Sequence, residues 1–200
     1  ATSTATSTVG LQVVTEGSIP AALERQLSTA TSGDQVDVLV FYLADRKIIN
    51  ALVEAALRGA SVRVILDPNK DAFGRRKDGT PNRPVATELM LHANIRIRWY
   101  DTHGEQAHSK LLLIRKRDGA ASLVTGSANW TKRNLQDMNL ETNVVVSGDA
   151  TAEPLQRAGE LFERLWANRD KNFTVDYTAY QDASLFKSLR YRYMEWSGLS

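Results

Sequence analysis

The run Val36–Leu43 (VDVLVFYL) constrains this chain more than any other feature. Its only charged side chain is Asp37, so it reads as a strand buried on both faces. Such strands belong inside sheets that helices cover on both sides. The residues that follow fit that setting. Asp45–Leu57 is amphipathic with a helical period, Gly59 is placed to end it as a C-cap, and Ser61–Leu66 (SVRVIL) is the next strand. A strand, a helix and a second strand joined by a short glycine turn form a βαβ unit, whose crossover is right-handed.

The rest of the chain keeps alternating. Leu11–Val14, Ile95–Tyr100 (IRIRWY), Ser109–Ile114, Ala121–Thr125 and Glu141–Val146 read as strands. Ile19–Thr29, with Ser18 as its N-cap, and Val85–Ala93 read as helices. Ala152–Asn168 is a third helix, with Leu155, Ala158, Leu161, Phe162 and Leu165 assigned to one face. The aromatic-rich tail from Thr174 to Trp196 also reads as helical. The expected fold class is α/β, a mixed β-sheet flanked by helices on both faces. Residues 1–8 (ATSTATST) are polar and low in complexity and are expected to be poorly ordered, leaving residues 9–200 as one domain without internal repeats.

Composition removes several functions. With 25 Lys+Arg against 23 Asp+Glu the formal charge is only +2, unlike a strongly basic nucleic-acid binder. The absence of cysteine excludes a disulfide scaffold and a thiolate zinc site. No apolar run approaches the roughly 18 residues of a membrane-spanning helix. The polar start has no Met, no basic segment and no apolar segment, so it is not a signal peptide. It reads as a processed N-terminus or as a boundary inside a longer protein. A soluble protein is expected, with secreted and periplasmic locations both open.

Two segments carry chemistry. In His108-Ser109-Lys110, alternation along a strand would project the imidazole and the ammonium side by side. That pairing suits attack on a phosphate, the ring acting as nucleophile or acid and the ammonium holding the oxyanion. In Gly126-Ser127-Ala128-Asn129, a sharp turn after an apolar strand offers a hydroxyl, an amide and backbone N–H groups to phosphate oxygens. Asn139-Leu140-Glu141 follows. Either segment alone is weak evidence. Both together, each on an apolar strand and joined by RKRDGA (115–120), are much stronger.

These residues resemble the phospholipase D superfamily, whose pattern is H-x-K-x4-D, then G-S/G-x-N, then an acidic residue in the next strand. HSK (108–110), GSAN (126–129) and NLE (139–141) match it. FYLADRKIINALVEAALRGASVRVILD (41–67) and DTHGEQAHSK (101–110) extend the likeness upstream. The resemblance implies an α/β/α sandwich and a covalent phosphohistidine route that needs neither metal nor other cofactor. It implies that His108 is nucleophile or acid, that Lys110 and Asn129 hold the phosphoryl oxygens with Ser127 and Gly126 in support, and that Glu141 orients His108 through its second ring nitrogen. One position departs from the pattern: Arg115 stands where an Asp is expected, and Asp118 lies three residues further on. An inactive phosphate-binding module is the reading that this departure favours.

The implied route also needs a second histidine motif. His103 is followed at i+2 by Glu105, and His92 lies in a helical pattern, so neither supplies one. The second motif is therefore expected from a second copy in a homodimer or from the N-terminal half of a two-motif protein, and the polar start leans toward the latter. His103 is a candidate for the mouth of the site. The loop Asp67–Pro84 holds three Pro and two Gly and no apolar period. It reads either as a solvated loop or as a basic lip in which Lys70 and Arg75 face an anionic substrate. The resemblance covers enzymes of phospholipids and nucleases, and a phospholipid substrate is expected here; the many aromatics read first as helix packing and alternatively as peripheral membrane contact. Nucleic acid is the alternative, favoured by Arg115-Lys116-Arg117 and Lys132-Arg133.

Overall fold

The computed structural model describes residues 8–72, 75–76, 78–136, 138–181, 190–193 and 197. Along the chain run β1 (Gly10–Thr15), α1 (Ser18–Ser28), β2 (Gln35–Val40), α2 (Arg46–Leu57) and β3 (Ser61–Leu66). A two-residue hairpin, β4 (Asp71–Ala72) and β5 (Arg75–Arg76), precedes α3 (Asn82–Leu89) and β6 (Ile95–Tyr100). Then come β7 (Lys110–Arg115), β8 (Ala120–Gly126), α4 (Lys132–Leu135), β9 (Thr142–Asp149), α5 (Glu153–Trp166) and β10 (Thr174–Asp176).

One eight-stranded sheet has the order β1-β9-β8-β7-β2-β3-β6-β10. Strands β2, β3 and β6 are mutually parallel, and every other pairing is antiparallel. The sheet is thus mixed, as the sequence pattern requires. Its two faces bury different residues of β2. Val36, Val38 and Val40 join Leu23, Ile48, Leu52 and Val85 under α1, α2 and α3. Leu39 joins Leu113, Leu155 and Phe162 under α5. This two-sided burial is why β2 carries no polar alternation.

Several local expectations are corrected. Gly17, not Ser18, occupies the N-cap of α1, and Ser18 instead exchanges hydrogen bonds with the backbone of Thr15. Helix α3 starts at Asn82 because Pro84 falls in its first turn, where a missing N–H costs nothing. Leu161 of α5 is 45% exposed. It lies about 40° around the helix from Leu165, at the solvent edge of the buried stripe of Leu155, Ala158, Phe162 and Leu165. The tail is no continuous helix. Thr174–Asp176 pairs with β6, and Tyr177–Tyr180 makes a 3-10 turn whose carbonyl at Tyr177 accepts the Trp99 indole N–H at 2.8 Å. The expected helix between 182 and 189, like residues 1–7, lies outside the described residues. Trp99, Trp130 and Tyr191 are fully buried, so packing rather than a membrane claims them. No helix among the described residues is long and apolar enough to cross a membrane.

Candidate active site

The register brings the chemical segments to one end of the sheet. Val40 at the carboxyl end of β2 pairs with Lys110 at the start of β7. Leu111 pairs with Thr125, and Gly126 with Asn143. His108, Lys110, Gly126–Asn129 and Glu141 therefore converge where the parallel strands β2 and β3 also end, the place where ligands of α/β sheets bind.

Lys110 is only 4% exposed. Its ammonium donates to the His108 carbonyl at 2.7 Å, lies 3.1 Å from His108 Nδ1, and sits 5.7 Å from the Phe41 ring centroid. Burial pushes its pKa down to about 8, with the nearby Glu141 charge opposing. His108 is exposed, lies just before β7 rather than in it, and packs its ring 5.0 Å from Phe41. Burial and then the Lys110 charge lower its pKa, against the pull of Asp67 and Glu141, which favours the neutral ring.

The second segment is shaped by backbone proximity. A Cβ at Gly126 would lie 2.3 Å from both the Thr142 carbonyl and Asn143 Oδ1, so only glycine lets β8 approach β9 here. Buried Asn143 accepts the Ala128 N–H at 3.2 Å and holds the turn. The Ser127 backbone N–H donates to Thr142 at 3.0 Å, and its hydroxyl donates to Glu141. Asn129 follows, and among the described residues nothing pairs with its buried side-chain oxygen.

Glu141 departs from expectation. Its carboxylate is held by Ser127 and by the side-chain amide of Asn134 in α4, and not by His108. Glu141 lies one residue before β9, on a loop whose neighbour Leu140 is 89% exposed. Asn134 is a partner that spacing did not reveal: it is buried, and it also accepts from Thr131 at 2.8 Å. Asp67 is another. Its buried carboxylate accepts the N–H of Ala107 at 2.9 Å and that of Asn69 at 2.7 Å, fixing the approach to His108. Burial raises its pKa, and the two N–H bonds oppose the rise. Asn82, fully buried, donates to the carbonyls of both Phe41 and Asp67. A carboxylate ending an apolar strand was the only sequence signal for this scaffold.

The remaining candidates are dispersed. His103 is exposed on the loop before His108, with Asp101 3.7 Å away. Lys70 donates to the Tyr180 hydroxyl at 3.2 Å and packs over its ring. The backbone of Arg75 lies in β5, and its side chain is outside the described residues. Arg115 and Lys116 sit at the opposite end of β7 from His108. Arg115 pairs with Asp37 at 2.6 Å and with Glu163 at 3.0 Å, and Lys116 with Asp34 at 2.8 Å. They belong to no basic surface around the site.

A family profile described as "Cardiolipin synthase, PLD-like domain" matches residues 23–166, from α1 through α5. The chain belongs to this PLD-like family. Solved structures share the fold. A phospholipase D family member, Nuc from Salmonella typhimurium, is 21% identical with a TM-score of 0.63, covering 88% of this chain and 100% of its own. NucT from Helicobacter pylori is 17% identical with a TM-score of 0.60, covering 84% and 99%. Phosphatidylserine synthase from Haemophilus influenzae is 10% identical with a TM-score of 0.62, covering 93% of this chain and 44% of that one. No curated protein matches in sequence. Within this PLD-like chain, the position that departs from the superfamily pattern lies far from His108, in an ion-pair network against α5.

Proposed function

We propose that the chain is a phosphodiesterase of the phospholipase D type that transfers a phosphatidyl group of a phospholipid to water or to an alcohol. The observation that carries this is His108 beside the buried Lys110 ammonium, at the end of the sheet to which the register also brings the GSAN turn. One imidazole nitrogen attacks phosphorus as the bond to the leaving oxygen breaks. A second histidine, which enters the reaction as imidazolium, gives that oxygen its proton and becomes the neutral base. The acceptor's oxygen then attacks the phosphohistidine, returning its own proton to the second histidine. Lys110 has one N–H beyond the two already directed at His108, and it and Asn129 hold the phosphoryl oxygens.

The second histidine is His108 of another copy. Coverage of the whole of Nuc and nearly all of NucT, against less than half of phosphatidylserine synthase, supports a unit that pairs with its like over half of a longer protein. Exposed Met138 and Leu140 beside Glu141 supply an apolar rim suited to acyl chains, and the family's cardiolipin synthase description points the same way. Nucleic acid is the second reading, favoured by exposed Arg133 just past the GSAN turn. The test assays phosphatidylcholine, phosphatidylglycerol and single-stranded DNA together, with His108→Asn as control. Headgroup release by the native chain alone, with an acid-labile phosphoenzyme, is expected. Cleavage of DNA alone sinks the lipid reading, full activity in His108→Asn sinks the mechanism, and an active monomer sinks the pairing.

A further inference from the structure

Fully buried aromatic side chains normally pack into the core, and four of those among the described residues do. Trp99, Trp130 and Tyr191 join the cluster under α1, α2 and α3, and Phe162 joins the cluster under α5. Phe41 is equally buried and joins neither. Its ring neighbours lie in the histidine site instead. The His108 ring centroid is 5.0 Å away at a tilt of 53°, and the Lys110 ammonium stands 5.7 Å from the Phe41 centroid. Tyr42, 4.1 Å away, is the other ring beside it. One apolar ring thus lies against both groups that the phosphohistidine route needs.

The backbone of Phe41 is held from both sides. Its N–H donates to the Ser109 carbonyl at 3.1 Å, one step past the pairing of Val40 with Lys110. Its carbonyl accepts from the side-chain amides of Asn82 at 2.7 Å and Asn69 at 3.4 Å. Asn82 Oδ1 also accepts the Leu43 N–H at 2.9 Å, so this strand end cannot slide without orphaning a buried amide. The Lys110 ammonium, for its part, has no carboxylate within ion-pair distance among the described residues. It is held by the His108 carbonyl, by Nδ1 and by the face of the Phe41 ring. A carboxylate in that place would compete with a phosphate for the cation. An aromatic face attracts an ammonium and leaves its charge available.

We propose that Phe41 is a positioning residue of the histidine site: its ring fixes the His108 imidazole and the Lys110 ammonium relative to each other, and it sets the rate of attack on phosphorus without touching the substrate. This role rests on the phosphohistidine reading given above. The imidazole has to meet phosphorus in line while the ammonium holds an oxygen of the same phosphoryl group. A displacement of either by about 1 Å therefore costs rate rather than affinity.

The test compares one substitution at two buried phenylalanines of the full chain. Phe41→Leu keeps an apolar side chain and removes the ring. Phe162→Leu does the same under α5, where the Arg63 guanidinium lies 5.0 Å from the ring centroid, and so controls for lost packing and a lost cation contact. Turnover of phosphatidylglycerol per folded molecule is measured in both, with the folded fraction taken from thermal unfolding. Phe41→Leu should lower kcat about tenfold with KM little changed, Phe162→Leu should leave kcat in place, and Phe41→Tyr, which restores the ring, should recover most of the loss. A second readout needs no turnover: the ring-proton resonances of His108 should move in Phe41→Leu and stay in Phe162→Leu. Native kcat in folded Phe41→Leu overturns the proposal, as do equal losses in the two leucine variants or unmoved His108 resonances. A rise in KM alone also overturns it, because the ring would then be a substrate contact. Native turnover in His108→Asn refutes the phosphohistidine reading instead, and the His108 resonances then decide alone whether Phe41 holds the imidazole.

Discussion

Arg115→Asp would restore the residue that the superfamily pattern has at this position, and the structure predicts that it damages the protein. Arg115 and Arg63 alternate with Asp37 and Glu163. Arg63 binds Asp37 at 2.8 Å and Glu163 at 2.5 Å, and Arg115 spans the same two carboxylates at 2.6 and 3.0 Å. Asp37 is completely buried, so its charge depends on those partners. The substitution removes one of two cations and leaves three carboxylates around Arg63. A new charge about 5 Å from Asp37 is repelled by roughly 3 kcal/mol at an effective dielectric of 20. The Arg115 side chain is 31% exposed, so solvent screens part of this, and the lost ion pairs return the total to about 3 kcal/mol. For a chain of this size that is a fall in Tm of roughly 6–12 °C.

Thermal unfolding followed by circular dichroism measures the loss, and turnover per folded molecule measures the site. Arg115→Lys, which keeps the charge but not the planar fork, should lose about 1 kcal/mol. The damage from Arg115→Asp should also shrink on acidification. Hydrogen bonds from Arg63, reinforced by Arg115 against the burial that opposes them, lower the Glu163 pKa to about 2. Its stabilisation in the native chain is therefore present above about pH 4.5 and is lost as pH falls toward 2. Crowded carboxylates have raised pKa values, so the variant's penalty is full at neutral pH and fades as they protonate. An unchanged Tm, or a rise in turnover without loss of stability, would refute the assignment of Arg115 to structure.

Three further outcomes can be checked. Because burial holds the Lys110 pKa near 8, phosphate binding and turnover should fall as pH rises through about 8, and Lys110→Arg should move that limb upward at reduced rate. An alkaline limb that stays in place in a folded Lys110→Arg variant contradicts the role. The same depressed pKa means that the folded chain binds fewer protons there than the unfolded chain. Stability should thus gain from Lys110 between about pH 8 and 10.5, and Lys110→Met should abolish that gain in denaturant titrations across pH. Asn134→Ala frees one oxygen of Glu141 and should lower kcat by about tenfold with KM little changed, at a stability loss of about 1–2 kcal/mol. Equal losses in kcat from Asn134→Ala and from an equally destabilising core substitution would reduce Asn134 to packing.

The sequence showed what periodicity encodes. The two-sided apolar run of β2 and the single stripe of α5 gave the layers, and the spacing of HSK and GSAN gave the strand ends that meet. It did not show partners that depend on the turn between elements. Asn134 reaches Glu141 because α4 is one short turn that folds back over the GSAN segment, a geometry that has no periodic signature. Tail residues 174–180 combined helix-compatible composition with a pairing edge on β6, and cross-strand contact with Trp99 overrode local propensity.

Charge misled for a related reason. Arg115, Lys116, Lys132 and Arg133 lie close in sequence and read as one basic region. A strand of six residues carries the chain about 20 Å, so β7 removes Arg115 and Lys116 from the histidine end, whereas β8 returns Lys132 to it. What decides whether a cation serves substrate or scaffold is the parity of strands between it and the motif, together with the acid it meets on arrival. Arg115 meets the buried Asp37 and is consumed by it. Lys132 arrives near the start of α2, at the histidine end of the sheet. The one position that departs from the superfamily pattern is therefore compatible with chemistry at His108.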